Sequence, residues 1–150
     1  MRNKNFRKME TYLNWACVFD HTGNGIPFVD INGKSITLAK WYNSQYSDFH
    51  FALIGGSGST PPTEDDYKLE NPIALTSAGQ SILYDKEHTI TIVEVLKNAS
   101  SESVTITEVA CKVHGGNYGG AWDWIISRDL ITPITIPAGE TRTIQYTIEF

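Results

Sequence analysis

Four histidines, two cysteines and a run of three acids are the side chains of this 150-residue chain from which chemistry could most readily be built. His21, His50, His88 and His114 are scattered, with no H-x-x-x-H or H-x-E pairing, so a metal site could form only where the fold gathers them. Satisfied or exposed histidines are the plainer reading. The acid run is Glu64, Asp65 and Asp66. A glycosidase needs two carboxylates about 5–10 Å apart across a cleft, whereas adjacent acids in a loop serve as turn and capping residues. No G-x-S-x-G nucleophile elbow is present. Gly55, Gly56 and Gly58 have the composition of a phosphate loop, but no G-K-S/T follows, and the run leads into Pro61-Pro62 rather than a helix. Asp20-His21-Thr22-Gly23-Asn24-Gly25 has the spacing that opens a calcium loop, yet Ile31 stands where that loop needs a bidentate Glu. Cys17 and Cys111 are too few for a disulfide framework and lie in no C-x-x-C pair. Two buried thiols are expected, and a bridge between them depends on the fold. The expectation is a chain with no catalytic residue, no cofactor and no metal site.

Two other groups of residues suggest binding. Tyr118, Trp122 and Trp124 flank a glycine-rich stretch, and Trp15, Trp41, Tyr42 and Tyr46 lie in or beside expected loops. Flat aromatics at loop tips can stack on sugar rings or bury at a subunit interface, and the same residues can simply fill a core. The second group is at the N-terminus, where Arg2, Lys4, Arg7 and Lys8 supply a third of the positive charge. Phe6, Met9, Leu13 and Ala16 follow at spacings of three, four and three, which predicts a helix over residues 4–17 with an apolar seam. Leu13, Trp15, Cys17 and Phe19 also alternate as a strand would. A docking or oligomerising arm and a terminal helix covering one end of the domain are both compatible with this stripe.

The elements that would position these residues are mostly strands. Hydrophobic residues make up 41% and charged residues 19%, which fits a globular domain of ordinary size. Twelve Lys and Arg against seventeen Asp and Glu leave a net charge of −5, which argues against nucleic acid as the main partner. No run of eighteen apolar residues and no signal-peptide core occurs, so neither membrane insertion nor export is expected.

Asn32-Gly33 between apolar alternating stretches predicts a β-hairpin over residues 28–38 with a two-residue type I′ turn. Residues 49–54 predict a strand buried on both faces. The segment 54–73, with three glycines followed by Pro61 and Pro62, predicts an ordered connector after which Tyr67 and Leu69 re-enter a core. A short strand is expected near 67–75, a turn at Ser77-Ala78-Gly79-Gln80, and a strand at 82–84. Residues 88–97 and 104–114 predict a long antiparallel hairpin, with a bulge near Glu108 where the apolar parity slips. A loop at 114–120, a strand at 122–127, a charged corner at Arg128-Asp129 and a final hairpin of 134–136 with 141–150 complete the chain. In that last strand Ile144, Tyr146, Ile148 and Phe150 should face in. The fold class expected is all-β: an antiparallel β-sandwich, jelly-roll or immunoglobulin-like, spanning residues 21–150, with an N-terminal helical arm at 1–20.

Three phrases carry a resemblance. They are Gly56-Ser57-Gly58-Ser59-Thr60-Pro61 with Asp66-Tyr67-Lys68-Leu69-Glu70; Asn98-Ala99-Ser100 with Thr105-Ile106-Thr107-Glu108; and the run from Ile125 through Arg128-Asp129-Leu130 and Pro133 to Pro137-Ala138-Gly139-Glu140-Thr141. In this order the chain resembles small virion proteins of tailed bacteriophages over roughly residues 54–150. It departs from their pattern at Val109-Ala110-Cys111 and in the Gly/Trp stretch before Ile125. The resemblance implies a non-enzymatic structural subunit of the particle, such as a head-fibre, capsid-decorating or tail-associated protein. It implies a homo-oligomer, a trimer by preference, made in the host cytoplasm and assembled with other virion proteins. A basic, apolar-striped arm built on Arg2, Lys4, Phe6, Arg7, Lys8, Met9, Leu13 and Ala16 would then dock on an acidic shell. The alternative is a module binding carbohydrate or a host surface glycan through Tyr118, Trp122 and Trp124.

Overall fold

A computed structural model of the chain describes residues 26–38, 50–84, 89–117 and 120–149. The N-terminal arm, Trp41, Tyr42, Tyr46, Cys17 and the turn at 20–25 therefore lie outside the described residues. Eight strands are present: β1 (Ile26–Val29), β2 (Ser35–Leu38), β3 (His50–Gly56), β4 (Thr76–Tyr84), β5 (Thr89–Lys97), β6 (Val104–Asn117), β7 (Gly120–Ile136) and β8 (Thr141–Glu149). They form a β1-β2 hairpin and two three-stranded antiparallel sheets, β3-β6-β7 and β4-β5-β8, packed together in a sandwich-like arrangement. The all-β expectation is met. By contacts the chain divides into two units. The first takes the described residues within Met1–Phe51, Thr63–Lys68 and Cys111–Arg128, and the second Ala52–Pro62, Leu69–Ala110 and Asp129–Phe150.

In the second unit the period of two sets the core. Along β5 Ile90, Ile92, Glu94 and Leu96 are buried while Thr89, Thr91, Val93 and Val95 are half-buried. Ile144 and Ile148 of β8 are buried on the face that Ile90 and Glu94 share with them, through the pairs Ile90↔Ile148 and Glu94↔Ile144. Leu53, Leu69, Ile106 and Ile136 join this core. Each fully buried Leu or Ile contributes about 1.5–3 kcal/mol relative to exposure. In the first unit five consecutive residues of β7, from Trp124 to Arg128, are buried, so that stretch is covered on both faces.

The connections differ from the expected hairpins. β5 and β6 lie in different sheets, as do β7 and β8, so residues 98–103 and 137–140 carry the chain between sheets instead of turning it back. Alternation fixes which way a side chain faces, but it is silent on which neighbour takes a strand's edge hydrogen bonds. β5 uses both its edges, one for β4 and one for β8.

Several smaller features also differ. The tetrapeptide 77–80 is no turn: it lies inside β4, with a register shift between Ser77 and Gly79 that leaves Ala78 as the extra residue of a bulge. The stretch near 67–75 forms only an isolated bridge, Gly56↔Pro72. Arg128 and Asp129 continue β7 rather than turning a corner, and β6 runs on to Asn117, deep into the expected loop. At 108–111 four residues in a row are buried, so β6 is covered on both sides there. Two-faced burial accounts for the change of apolar parity near Glu108.

The β1-β2 hairpin is present, but its loop has three residues. Asp30 N–H donates to the Lys34 carbonyl at 2.9 Å and Gly33 N–H to the Asp30 carbonyl at 2.9 Å. Gly33 has φ 78°, the left-handed residue that closes such a loop. Asp30 explains the choice, since its Oδ1 accepts the N–H groups of Asn32 (2.9 Å) and Lys34 (2.7 Å).

Candidate functional site

The connector between β3 and β4 folds back on its own strand. Ser57 N–H donates to the Asn71 carbonyl at 2.9 Å and Ile73 N–H to the Gly55 carbonyl at 3.0 Å. Glu108, fully buried on β6, accepts the N–H of Asn71 at 3.1 Å and that of Glu70 at 3.3 Å. Glu70 in turn accepts the N–H groups of Ser59 (2.8 Å) and Thr60 (2.9 Å), and Thr107 Oγ1 donates to the Gly58 carbonyl at 2.6 Å. Gly56 and Gly58 permit this approach. A Cβ on Gly56 would stand 2.7 Å from the Asn71 carbonyl oxygen, and one on Gly58 would stand 2.5 Å from Glu108 Cδ. The glycine run is thus a cradle for a buried carboxylate of the same chain. Leu69 is buried, as expected of the re-entering segment.

A second buried carboxylate bridges the sheets of this unit. Glu94 of β5 accepts the N–H of Leu53 on β3 at 2.5 Å and Gln80 Nε2 at 3.0 Å. Sequence reasoning missed Glu94 and Glu108 as core residues, although both stand at apolar-phase positions of their strands, and that phase was the available signal.

At the crossover end Asn98, fully buried, uses its whole hydrogen-bonding capacity. Its N–H donates to the Glu140 carbonyl and its carbonyl accepts Gly139 N–H, both at 2.9 Å. Its Nδ2 donates to the carbonyls of Glu102 (2.7 Å) and Ile136 (3.0 Å), while Oδ1 accepts Ser100 N–H (3.0 Å) and Ser100 Oγ (2.7 Å). One side chain therefore ties together both connections between the sheets. Nearby Tyr146 of β8 donates its hydroxyl to Asp129 Oδ2.

In the first unit the acid run resolves into a turn and an ion pair. Asp66 accepts the Thr63 N–H and hydroxyl, each at 2.9 Å, and faces Arg128 Nη1 at 2.8 Å. The Arg128 side chain is only 4% exposed. Burial pushes the Asp66 carboxyl up; the Thr63 N–H, the Arg128 guanidinium and the Thr63 hydroxyl together outweigh it and hold the pKa below the ordinary carboxylate value.

The first unit also gathers two histidines that are far apart in sequence. His50 and His114 stack with ring centroids 6.5 Å apart. Asp123 accepts from His114 Nδ1 at 2.8 Å and from Lys112 Nζ at 3.2 Å, and its carbonyl accepts Ile31 N–H at 3.0 Å. The carboxylate orients an imidazole at the surface, a group able to bind or exchange a proton. Among the described residues, no set of three or more His, Cys, Asp or Glu could hold a metal ion.

Comparison with protein-family models, with curated proteins and with solved structures finds no match to this chain. The residues singled out for binding divide as follows. Trp124 is fully buried, which places it in core packing and leaves no ring face for a ligand. Tyr118, the Trp122 side chain and the arm residues Arg2, Lys4, Phe6, Arg7, Lys8, Met9, Leu13 and Ala16 lie outside the described side chains.

Proposed function

We propose that this chain is a non-enzymatic structural subunit of a bacteriophage particle: a head-fibre, capsid-decorating or tail-associated protein that self-associates and attaches through its N-terminal arm. The observation that carries the reading is where the resemblance-bearing residues sit. Gly56 and Gly58 surround Glu108, Asp66 faces Arg128, Asp129 takes the Tyr146 hydroxyl, and Asn98 holds residues 139 and 140. These residues fix connectors to strands, a role suited to a rigid building block. The likeness to virion proteins is then a likeness of scaffold, with the domain completed as a jelly-roll or immunoglobulin-like sandwich. The rival reading, a glycan-binding module, loses Trp124 as a stacking surface and rests on Tyr118 and Trp122.

The test is deletion of residues 1–17. The truncated chain should keep its β-sheet circular dichroism and its cooperative unfolding while failing to enter particles when supplied in place of the full chain. Incorporation at the normal level would remove the arm from the attachment.

A further inference from the structure

A sheet edge presents a row of backbone donors and acceptors, and soluble chains protect such edges with charge, proline, bulges or a covering segment. Three of the four edges of the two main sheets are protected in these ways. Along β3 the segment 71–73 is bound at Gly55 and Ser57, and the Leu53 N–H is taken by Glu94. β7 carries Asp123, Arg128, Asp129 and Pro133, and the Asp123 carbonyl is occupied by Ile31 N–H. β8 carries Arg142 and Glu149.

β4 is the exception. Its nine residues, TSAGQSILY, include no charge and no proline, and its protection is the single bulge at Ala78. Beyond the bulge, Gly79–Tyr84 pairs in unbroken register with β5 on one side, and no described strand pairs with the other. Thr76 through Ser81 and Leu83 are exposed, so nothing covers the strand. Leu83, at 63%, is the most exposed large apolar side chain among the described residues. The neutral surface continues inward across the sheet in the rows Ser81–Val93–Gln145 and Leu83–Thr91–Thr147.

We propose that β4 is a self-pairing edge: two copies of this chain join antiparallel along β4, so that two β4-β5-β8 sheets become one continuous six-stranded sheet. Charge selects a second copy as the occupant. Each copy carries −5, so two copies repel over most of their surfaces and approach best where neither bears charge. Antiparallel pairing of identical strands also sets like segments across a two-fold axis, which a charge on the strand would penalise and neutral β4 does not. A charged foreign segment would find no opposite charge on β4 to recognise. The pairing deepens the self-association in the virion reading and corrects its stoichiometry, because a two-fold contact closes at two copies, not three. It does not require that reading to hold, since it is tested on the purified chain without particles.

The experiment is the solution mass of the full chain by light scattering, beside a Ser81→Lys/Leu83→Lys variant and a Ser81→Glu/Leu83→Glu variant. The native chain should show twice the chain mass and each variant the chain mass, with circular dichroism unchanged. An equimolar mixture of the two variants should return to twice the chain mass. A native chain of onefold or threefold mass, or a lysine variant that keeps the twofold mass, would overturn the proposal. Amide hydrogen exchange on the native chain checks it without substitution. Protection of residues 79–84 should rise with protein concentration, and protection that stays constant would count equally against the pairing.

Discussion

Asp66 is pulled in two directions, by burial that favours its acid and by Thr63 and Arg128, which favour its anion and win. Because its folded pKa is depressed, the carboxylate contributes stability that is complete above the unfolded value, about 3.9. That contribution is lost as pH falls through the lower folded value. Asp66→Asn should therefore cost about 1–3 kcal/mol at neutral pH, by removing the charge that faces nearly buried Arg128. The gap between variant and native chain should close as the pH is lowered towards 2–3, on the order of the depressed pKa. Urea unfolding at both pH values measures it, and a gap that does not change with pH would show that the ion pair is not the cause. This role was legible in the sequence, because Thr63 and Asp66 make a local turn whose chemistry depends on neighbours in the chain. The His50, His114 and Asp123 cluster was not, because it exists only once β3, β6 and β7 lie side by side.

Among the elements, the connector after β3 shows how tightly a loop can be held. Gly56→Ala and Gly58→Ala would each push a methyl group into Glu108 or the Asn71 carbonyl, and overpacking of this kind costs about 1–3 kcal/mol. Gly79→Ala is the control. Its Cβ would meet only Val95 Cγ2 at 3.9 Å, so the change should stay within about 0.5 kcal/mol. Equal costs at all three positions in chemical denaturation would mean that contact with Glu108 is not what the connector glycines provide. The strands themselves were readable wherever side chains alternate. β5, β8 and the β1-β2 hairpin follow from β-branched periodicity and from Asn32-Gly33. β4 was hidden because Ser, Ala, Gly and Gln have the composition of a turn, and only pairing with β5 holds them extended.

At the scale of the whole molecule, the sheet count was legible and the wiring was not. Two faces of alternating polarity require two packed layers, whereas the order of strands in each layer depends on contacts far apart in sequence. The observed order places β5 and β6 each between two partners. Their amides should exchange with solvent most slowly in the native chain, near the rate set by global unfolding. Slower exchange in β7 or β8 would contradict this order.

The crossing of both connections has a consequence in time. β4 and β5 are consecutive in the chain and can meet as soon as both are made, but β5 receives its second partner only from β8, after β6 and β7 have been laid into the other sheet. Neither layer closes independently of the other. A chain wired this way gathers its decisive contacts late and from long range, which slows folding relative to a set of simple hairpins. On the ribosome β5 must wait with one side bare, and Asn98 fastens the two crossings only when residues 136–140 arrive.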